Sequence, residues 1–364
     1  MLALKVVFWG SLGALAWTHA GYPVAAGIAA RLRGRPVRKD EDAEPTVSVI
    51  VAAYNEESVI ERRVENLRGL DYPADRVELV VTSDASSDRT EELAEAAGAR
   101  VIRNERGGKV AAQNRAVRET AGEILAFSDA NATWAPDALR KLVRAFADPE
   151  VAYVCGRLVL QDAQGGNKEG AYWRYELALR ESESRLTSVT GGNGSIYAVR
   201  REDYVEVDPR FGHDLAFPYL MVQRGRRAVY EHEAQAFEKP TPTNETEYRR
   251  KVRMFEHCWL ITLRGSMLRR LPPVYALQMV SHRVLRYGSG LLHLLLLGSN
   301  VALLGEGPVY WVMLAGQLAL LAGAAAGVGI ARYYVLVSWA TVVSLWNYLR
   351  RGVPATWEAA EGTR

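Results

Sequence analysis

The stretch TVSVIVAAYNEESVIERRVENLRGLDYPADRVELVVTSD, residues 46–84, holds the repeat that decides the fold. Its β-branched run stops at Asn55, after which Ile60, Val64 and Leu67 recur at helical spacing on one face. A second strand, VELVVTS, then ends at Asp84. The pattern repeats downstream. DRTEELAEAAG reads as a helix with Asp88 at its N-cap and Glu91 closing a capping box; RVIRN, a helix around KVAAQNRAVRET and the strand EILAFS follow. Such alternation predicts an α/β domain built on a doubly wound parallel sheet. From Val151 the order loosens: strand VAYVCGRLVLQ, helix YWRYELALRESESRL, loop TGGNGS, strand IYAVRR, a short helix at Asp214 and strand RAVYEHEAQAFE. This second half reads as an acceptor-binding extension of a nucleotide-binding sheet.

Three aspartates, Asp84, Asp129 and Asp214, stand where predicted strands give out. Ligands of open α/β sheets bind in the crevice beyond the carboxyl ends of the strands, so carboxylates there read as a site. Asp84 has a simpler reading as an Asx-turn residue, and Asp88 is fully explained by capping. Asp129 and Asn131 form an acid-x-amide triplet whose hard oxygens suit Mg²⁺ or Mn²⁺ on a diphosphate. Gly107, Gly108 and Lys109 lack the remainder of a P-loop, but a lysine at a helix start suits a diphosphate. Gly191, Gly192, Asn193 and Gly194 fail the dinucleotide fingerprint and read as a loop that lets backbone approach a ligand.

The apolar residues are concentrated before Ala30 and after Val284. With 45 basic and 42 acidic residues the charge is too balanced for a dedicated nucleic-acid binder. Cys155 and Cys258, far apart and without partners at ligand spacing, argue against a disulfide framework or structural zinc. Leu2–Ala30 is long enough to span roughly 30 Å of hydrocarbon, and the basic cluster RLRGRPVRK after it favours an anchor over a signal peptide. Further spans are expected at about 284–304, 308–330 and 333–349. Three full crossings would leave Arg350 and Arg351 outside, so one span is expected to be re-entrant or interfacial. The expected organisation is an N-terminal transmembrane helix (1–30), a linker (31–45), the catalytic domain (46–245), amphipathic interfacial helices (246–275), a transmembrane region of about three spans (276–350) and a tail (351–364). His293, Asn300, Trp311 and Gln317 among the later spans would line a path for a saccharide or lipid-linked acceptor, or serve helix packing.

The ordered set VSVIVAAYNEE, SDASSDRT, GGKVAAQNRA, FSDAN, GGNGSIYAVRR, HD and RRKVRM resembles the membrane-bound family 2 glycosyltransferases, which include cellulose, chitin, hyaluronan and poly-N-acetylglucosamine synthases. The resemblance spans about Thr46 to Trp259. It implies a GT-A fold, a Rossmann-like cytoplasmic domain flanked by transmembrane helices. It also implies a nucleotide-sugar donor, expected to be a UDP-sugar, a Mg²⁺ or Mn²⁺ ion and an inverting displacement. Asn55, Glu56 and Asp84 would then line the nucleoside, and Ala53 would belong to the same donor site. Lys109, Asp129, Arg250 and Arg253 would hold the donor diphosphate, with the metal on Asp129 and Asn131. Asp214 would be the catalytic base, and Gly191, Gly192, Asn193 and His213 would meet the acceptor. Asn131 stands where the family has the second acid of DxD, His213 where it has the acid before the base, and RxxRM where it has QxxRW.

The implied activity is addition of a sugar to a growing polysaccharide at the plasma (bacterial inner) membrane, by a multi-pass protein in contact with membrane lipids and polysaccharide export partners. The alternative is transfer of one sugar to a polyprenyl phosphate or lipid-linked oligosaccharide. A nucleotidyltransferase would not need the membrane spans, and a non-catalytic membrane scaffold would leave the aspartates and glycine loop without a reason to coexist.

Overall fold

The computed structural model describes residues 1–161, 170–240 and 243–356, so the last part of the expected tail, 357–364, lies outside the described residues. The chain divides into two compact units. The larger comprises residues 26–242, 264–275 and 354–364. Its strands are β1 (Val47–Ala53), β2 (Val77–Ser83), β3 (Arg100–Arg103), β4 (Ile124–Asp129), β5 (Thr133–Trp134), β6 (Val151–Leu160), β7 (Tyr197–Arg200) and β8 (Arg227–Glu238). They form one sheet in the order β3-β2-β1-β4-β7-β6-β8-β5.

The first four strands are parallel, as the alternation requires. The sheet as a whole is mixed, which corrects the expectation of a doubly wound parallel sheet: β7 runs against both β4 and β6. Its first residue, Tyr197, pairs with Phe127 near the carboxyl end of β4, so the chain enters β7 from the side where β4 leaves. That reversal brings the glycine loop, residues 191–194, to the end of β4 that carries Asp129. Val49 and Val51 of β1 pack with Ile60, Val64 and Leu67 of the helix Ile60–Arg68 in one core. Every residue of β1 except Ala52 is buried, the signature of a strand covered on both faces.

The expected capping box does not form. The helix begins at Thr90; Asp88 accepts the Thr90 N–H at 3.0 Å, but Glu91 is drawn to Arg103, 2.8 Å away, across to the end of β3. An ion pair displaces the second half of the box.

The second unit comprises residues 1–25, 243–263 and 276–353. Phe8 packs edge-on against Tyr310 with ring centroids 5.1 Å apart, Trp17 Nε1 donates to Ser281 Oγ at 2.8 Å, and Lys5 pairs with Glu306 at 2.7 Å. Among the described residues one helix, Pro308–Ala325, is by itself long and apolar enough to cross a membrane. The other expected spans differ for local reasons. A π-helical turn at Trp17–Gly21 interrupts the first, Ser289–Ala302 is too short, and Gly329–Arg351 carries Arg332, Arg350 and Arg351. The basic amphipathic helix runs from Asn244 to Arg264 and stops before Ser266, whose φ is +52°. Phe255, Trp259 and Leu260 are buried within this unit, Trp259 Nε1 donating to the Thr341 carbonyl at 3.0 Å. Protein covers part of the face that the sequence reading gave to the membrane interface.

Candidate active site

Strand β1 ends where the chain must turn sharply. Asn55 takes a positive φ of 54°, which Asn tolerates better than most residues. Its N–H donates to Ser86 Oγ at 3.1 Å and its Oδ1 accepts from the Ser87 N–H at 2.8 Å, tying the turn after β1 to the turn after β2. Ala53 O accepts the Asp84 N–H at 2.9 Å. Glu56 is buried; its N–H reaches Thr90 Oγ1 at 2.7 Å and its carbonyl starts the next helical turn. The expected nucleoside-lining residues are therefore together, though Asn55 and Glu56 also have structural tasks.

Asp84 is only 3% exposed. Its carboxylate accepts the Gly107 N–H at 2.7 Å and the Gly108 N–H at 3.0 Å, and it pairs with Arg106. The Arg106 guanidinium lies 3.3 Å above the Tyr54 ring. Arg106 was missed in the sequence, although its place directly before the glycine pair was a usable signal. Gly108 has a φ of +91°, and a Cβ there would lie 2.1 Å from Ala355 O. Residues of the expected tail thus reach this loop.

The next residue carries the loop to the second carboxylate. Lys109 opens the helix Lys109–Arg118, and its Nζ pairs with Asp129 Oδ1 at the end of β4. Because Gly108 bonds Asp84 and Lys109 bonds Asp129, the two aspartates share one wall. Burial disfavours protonated Lys109, but Asp129, then Asp214 and Glu238, outweigh it and raise its pKa. Asn131 lies in the turn immediately after Asp129. Asp129 and Asn131 offer the hard oxygens a divalent ion needs, and among the described residues no cluster of three or more His, Cys, Asp or Glu side chains supplies an alternative centre.

Asp214 lies in the first turn of the helix His213–Gln223. Pro218 sits four residues on and has no N–H, so the Asp214 carbonyl keeps no helical partner. Gly192 N–H takes it at 2.8 Å. A helix breaker thereby docks the glycine loop onto the third aspartate. Gly192 must be glycine, since a Cβ would lie 2.0 Å from Tyr153 Oη. Gly194 passes Asp129 and Lys109 so closely that a Cβ would be 3.0 Å from both Asp129 Oδ2 and Lys109 Nζ. Asn193 turns inward: its Nδ2 donates to Gly156 O at 2.7 Å and its Oδ1 accepts from Ser195 and Ile196 N–H. It shapes the loop. Gly191 is buried beside it.

His213 is enclosed by the rings of Phe127, Tyr197, Tyr204 and Phe217. Burial, with a smaller push from Lys109, lowers its pKa to about 3, so it is neutral. Gln113 Nε2 donates to Tyr197 Oη at 3.3 Å, which directs the Tyr197 proton to His213 Nδ1 at 3.0 Å and assigns the imidazole proton to Nε2. Tyr153 Oη and His213 Nε2 are buried without a protein hydrogen bond. Such orphaned groups, Tyr153 within the electrostatic reach of Asp214 and His213 next to it in sequence, are what a polar ligand would satisfy.

Arg250 and Arg253 lie on Asn244–Arg264, whose residues 244–263 belong to the other unit; Arg250 pairs with Glu247 at 2.9 Å.

The model of glycosyl transferase family 2 matches residues 48–207, the segment that supplies Asp84, Lys109, Asp129 and the glycine loop. The chain carries a family 2 glycosyltransferase domain. The beta-monoglucosyldiacylglycerol synthase of Trichormus variabilis is 37% identical to this chain over 172 residues, 45% of this chain and 36% of the relative. The dolichol-phosphate mannosyltransferase of Pyrococcus furiosus is 31% identical over 185 residues, 45% of this chain and 49% of that one. The chain thus matches between about a third and a half of the length of these relatives. A mannosyltransferase from Pyrobaculum calidifontis, solved with GDP-Man and Mn²⁺, superposes with a TM-score of 0.75 over 95% of this chain and 99% of that one at 24% identity. That likeness supports the GT-A fold.

Proposed function

We propose that this glycosyltransferase moves a single hexose from a nucleotide-sugar donor to the hydroxyl of a membrane lipid. The observation that carries the reading is the joining of three aspartates, two at strand ends and Asp214 in the first turn of a helix, through two short segments: Gly108–Lys109 binds Asp84 and Asp129, and Gly192–Gly194 binds Asp214 and passes Asp129. In this reading Asp84 and the turn at Asn55 face the nucleoside, and Lys109 meets the diphosphate as a point charge. A Mg²⁺ or Mn²⁺ ion held by Asp129 and Asn131 would supply charge neutralisation for the leaving nucleoside diphosphate. The acceptor oxygen forms a bond to the anomeric carbon as the bond to the diphosphate breaks, and the hydroxyl proton passes to the Asp214 carboxylate. One base and one displacement invert the anomeric centre.

A lipid acceptor is favoured over the growing polysaccharide expected from sequence. Two of the relatives named above carry lipids in their names, monoglucosyldiacylglycerol and dolichol phosphate, and the apolar unit with its exposed Trp311, Val312 and Leu318 gives a surface suited to lipid contact. A hydroxyl is favoured over a phosphate, because a phosphate monoester is largely deprotonated at neutral pH and would leave Asp214 without a proton to accept. The test is to incubate membranes containing the protein with radiolabelled UDP- and GDP-hexoses, with diacylglycerol, with polyprenyl phosphate or with neither added. A product sized as one hexose on diacylglycerol is expected. A polymer, or product only with polyprenyl phosphate, overturns the reading.

A further inference from the structure

Arg63 occupies a place that an apolar side chain would be expected to fill. It lies on the face of Ile60–Arg68 that also presents Ile60, Val64 and Leu67 to the sheet, and it is 2% exposed. Among the described residues no carboxylate lies within ion-pair distance of its guanidinium, and its Nε has no hydrogen-bond partner. A buried cation without a counter-ion is unfavourable, so a fold keeps one where its donors achieve something a leucine would not.

Those donors converge on one turn. Nη2 donates to Ser128 Oγ at 2.7 Å, and Nη1 donates to Asn66 Oδ1. Asn66 in turn brackets Trp134, accepting its N–H at 2.9 Å and donating to its carbonyl at 3.0 Å. The guanidinium also stacks 5.1 Å from the Trp134 ring centroid. Ser128 and Trp134 are the two ends of the segment that carries Asp129 and Asn131. The same clamp reaches the glycine loop, because Ser128 Oγ and Trp134 Nε1 both approach the Ser195 carbonyl, at 3.1 and 2.9 Å. Ser195 Oγ bonds Glu238 at the end of β8. Charge agrees with geometry: burial pushes the Arg63 pKa down to about 9, and Asp129 and Glu238 are the groups that oppose the fall.

We infer that Arg63 is a positioning residue for the transfer reaction, holding both ends of the Ser128–Trp134 segment so that Asp129 and Asn131 are set for the donor diphosphate before it arrives. The inference rests on the proposed function, and it assigns Arg63 no contact with donor or metal. A planar fork is needed because two acceptors on different elements must be met at once, which an ammonium or an apolar side chain does not do.

The experiment measures nucleoside diphosphate binding by titration calorimetry, with UDP and GDP, with and without Mn²⁺, on wild type, Arg63→Met, Arg63→Lys and Ser128→Ala. Amide hydrogen exchange at residues 129–132 is followed in the metal-free proteins. Arg63→Met should weaken Mn²⁺-dependent binding tenfold or more and speed exchange in this turn, while exchange in β1 and β2 stays at the wild-type rate. Arg63→Lys should fall between. Ser128→Ala, which removes the acceptor of Arg63 Nη2 together with the Oγ contacts to the Asp129 and Ser195 carbonyls, serves if Arg63→Met does not fold, and should show the same pattern at smaller amplitude. On an Asp129→Asn background, Arg63→Met should add nothing further. Wild-type binding and exchange in Arg63→Met and Ser128→Ala, or losses that simply add to Asp129→Asn, overturn the inference. Failure of wild type itself to bind either nucleotide overturns the proposed function as well, and is distinguished by that control.

Discussion

The two halves of the sheet hold their aspartates by different physics. In the parallel half, Asp84 and Asp129 are met by charge: Arg106 and two backbone N–H groups on the first, Lys109 on the second. In the mixed half, Asp214 is placed by backbone and packing, through Gly192 on its carbonyl, Pro218 downstream and the aromatic enclosure of its neighbour His213. On the proposed function, charged partners suit a half that must exchange protein contacts for a diphosphate. On the same proposal, backbone and packing contacts suit a half whose carboxylate must keep a fixed place beside the acceptor. Substitutions in the first should therefore change binding and metal dependence, and substitutions in the second should change turnover.

The largest effect tests the second half. Asp214→Asn should lower kcat by about 10²–10⁴-fold, as loss of a general base does, with donor affinity nearly unchanged. Turnover above about a tenth of wild type in a radiolabel assay would remove Asp214 from the role. Next comes the first half. Asp129→Ala should weaken binding of the nucleotide sugar about tenfold or more and abolish its response to Mn²⁺, while releasing Lys109. Equal wild-type affinity with and without Mn²⁺, measured by titration, would break the contrast.

Most strands of both halves were legible because β-branched runs closed by polar turns admit few other readings: VELVVTS is β2 to the residue. The direction of β7 was not, since nothing in IYAVRR encodes which neighbour it meets. The three aspartates were legible as a set, although Asp214 stands in the first turn of a helix and not where a strand gives out, and their protein partners were only partly legible. Lys109 follows two glycines and was found; Arg63 hides in a helical stripe of apolar residues, at the i+3 position where only a charge on the wrong face betrays it. Asn193 misled in the other direction, because an amide in a glycine loop looks available until its three hydrogen bonds are seen. The membrane spans were read from composition, which does not register the π-turn at Trp17–Gly21 or the place of Arg332 within a helix.

Pro218 gives a sharper test of backbone placement. Pro218→Ala restores an N–H that can bond the Asp214 carbonyl within the helix, in competition with Gly192. A helix freed of an internal proline should hold or raise the thermal midpoint. Turnover should nevertheless drop about tenfold, equivalent to about 1.4 kcal/mol in the barrier, because the glycine loop loses its anchor. Lower stability together with unchanged kcat would show that the proline serves packing alone.

The smallest effect concerns His213 and acid. Its folded pKa, near 3, lies below the ordinary histidine value because burial among four rings penalises the imidazolium and Lys109 adds repulsion. Between pH 6.5 and 3 the unfolded chain therefore binds a proton there that the folded chain refuses. Stability from this group is fully present above about pH 6.5 and is lost as pH falls toward 3, by at most about 1.4 kcal/mol per pH unit. His213→Asn keeps an acceptor for the Tyr197 hydroxyl and cannot titrate, so its urea midpoint should decline less than that of wild type between pH 7 and pH 5. The same decline in both would mean that His213 charges freely in the folded protein, and that the neutral enclosure drawn for the second half of the sheet is wrong at its centre.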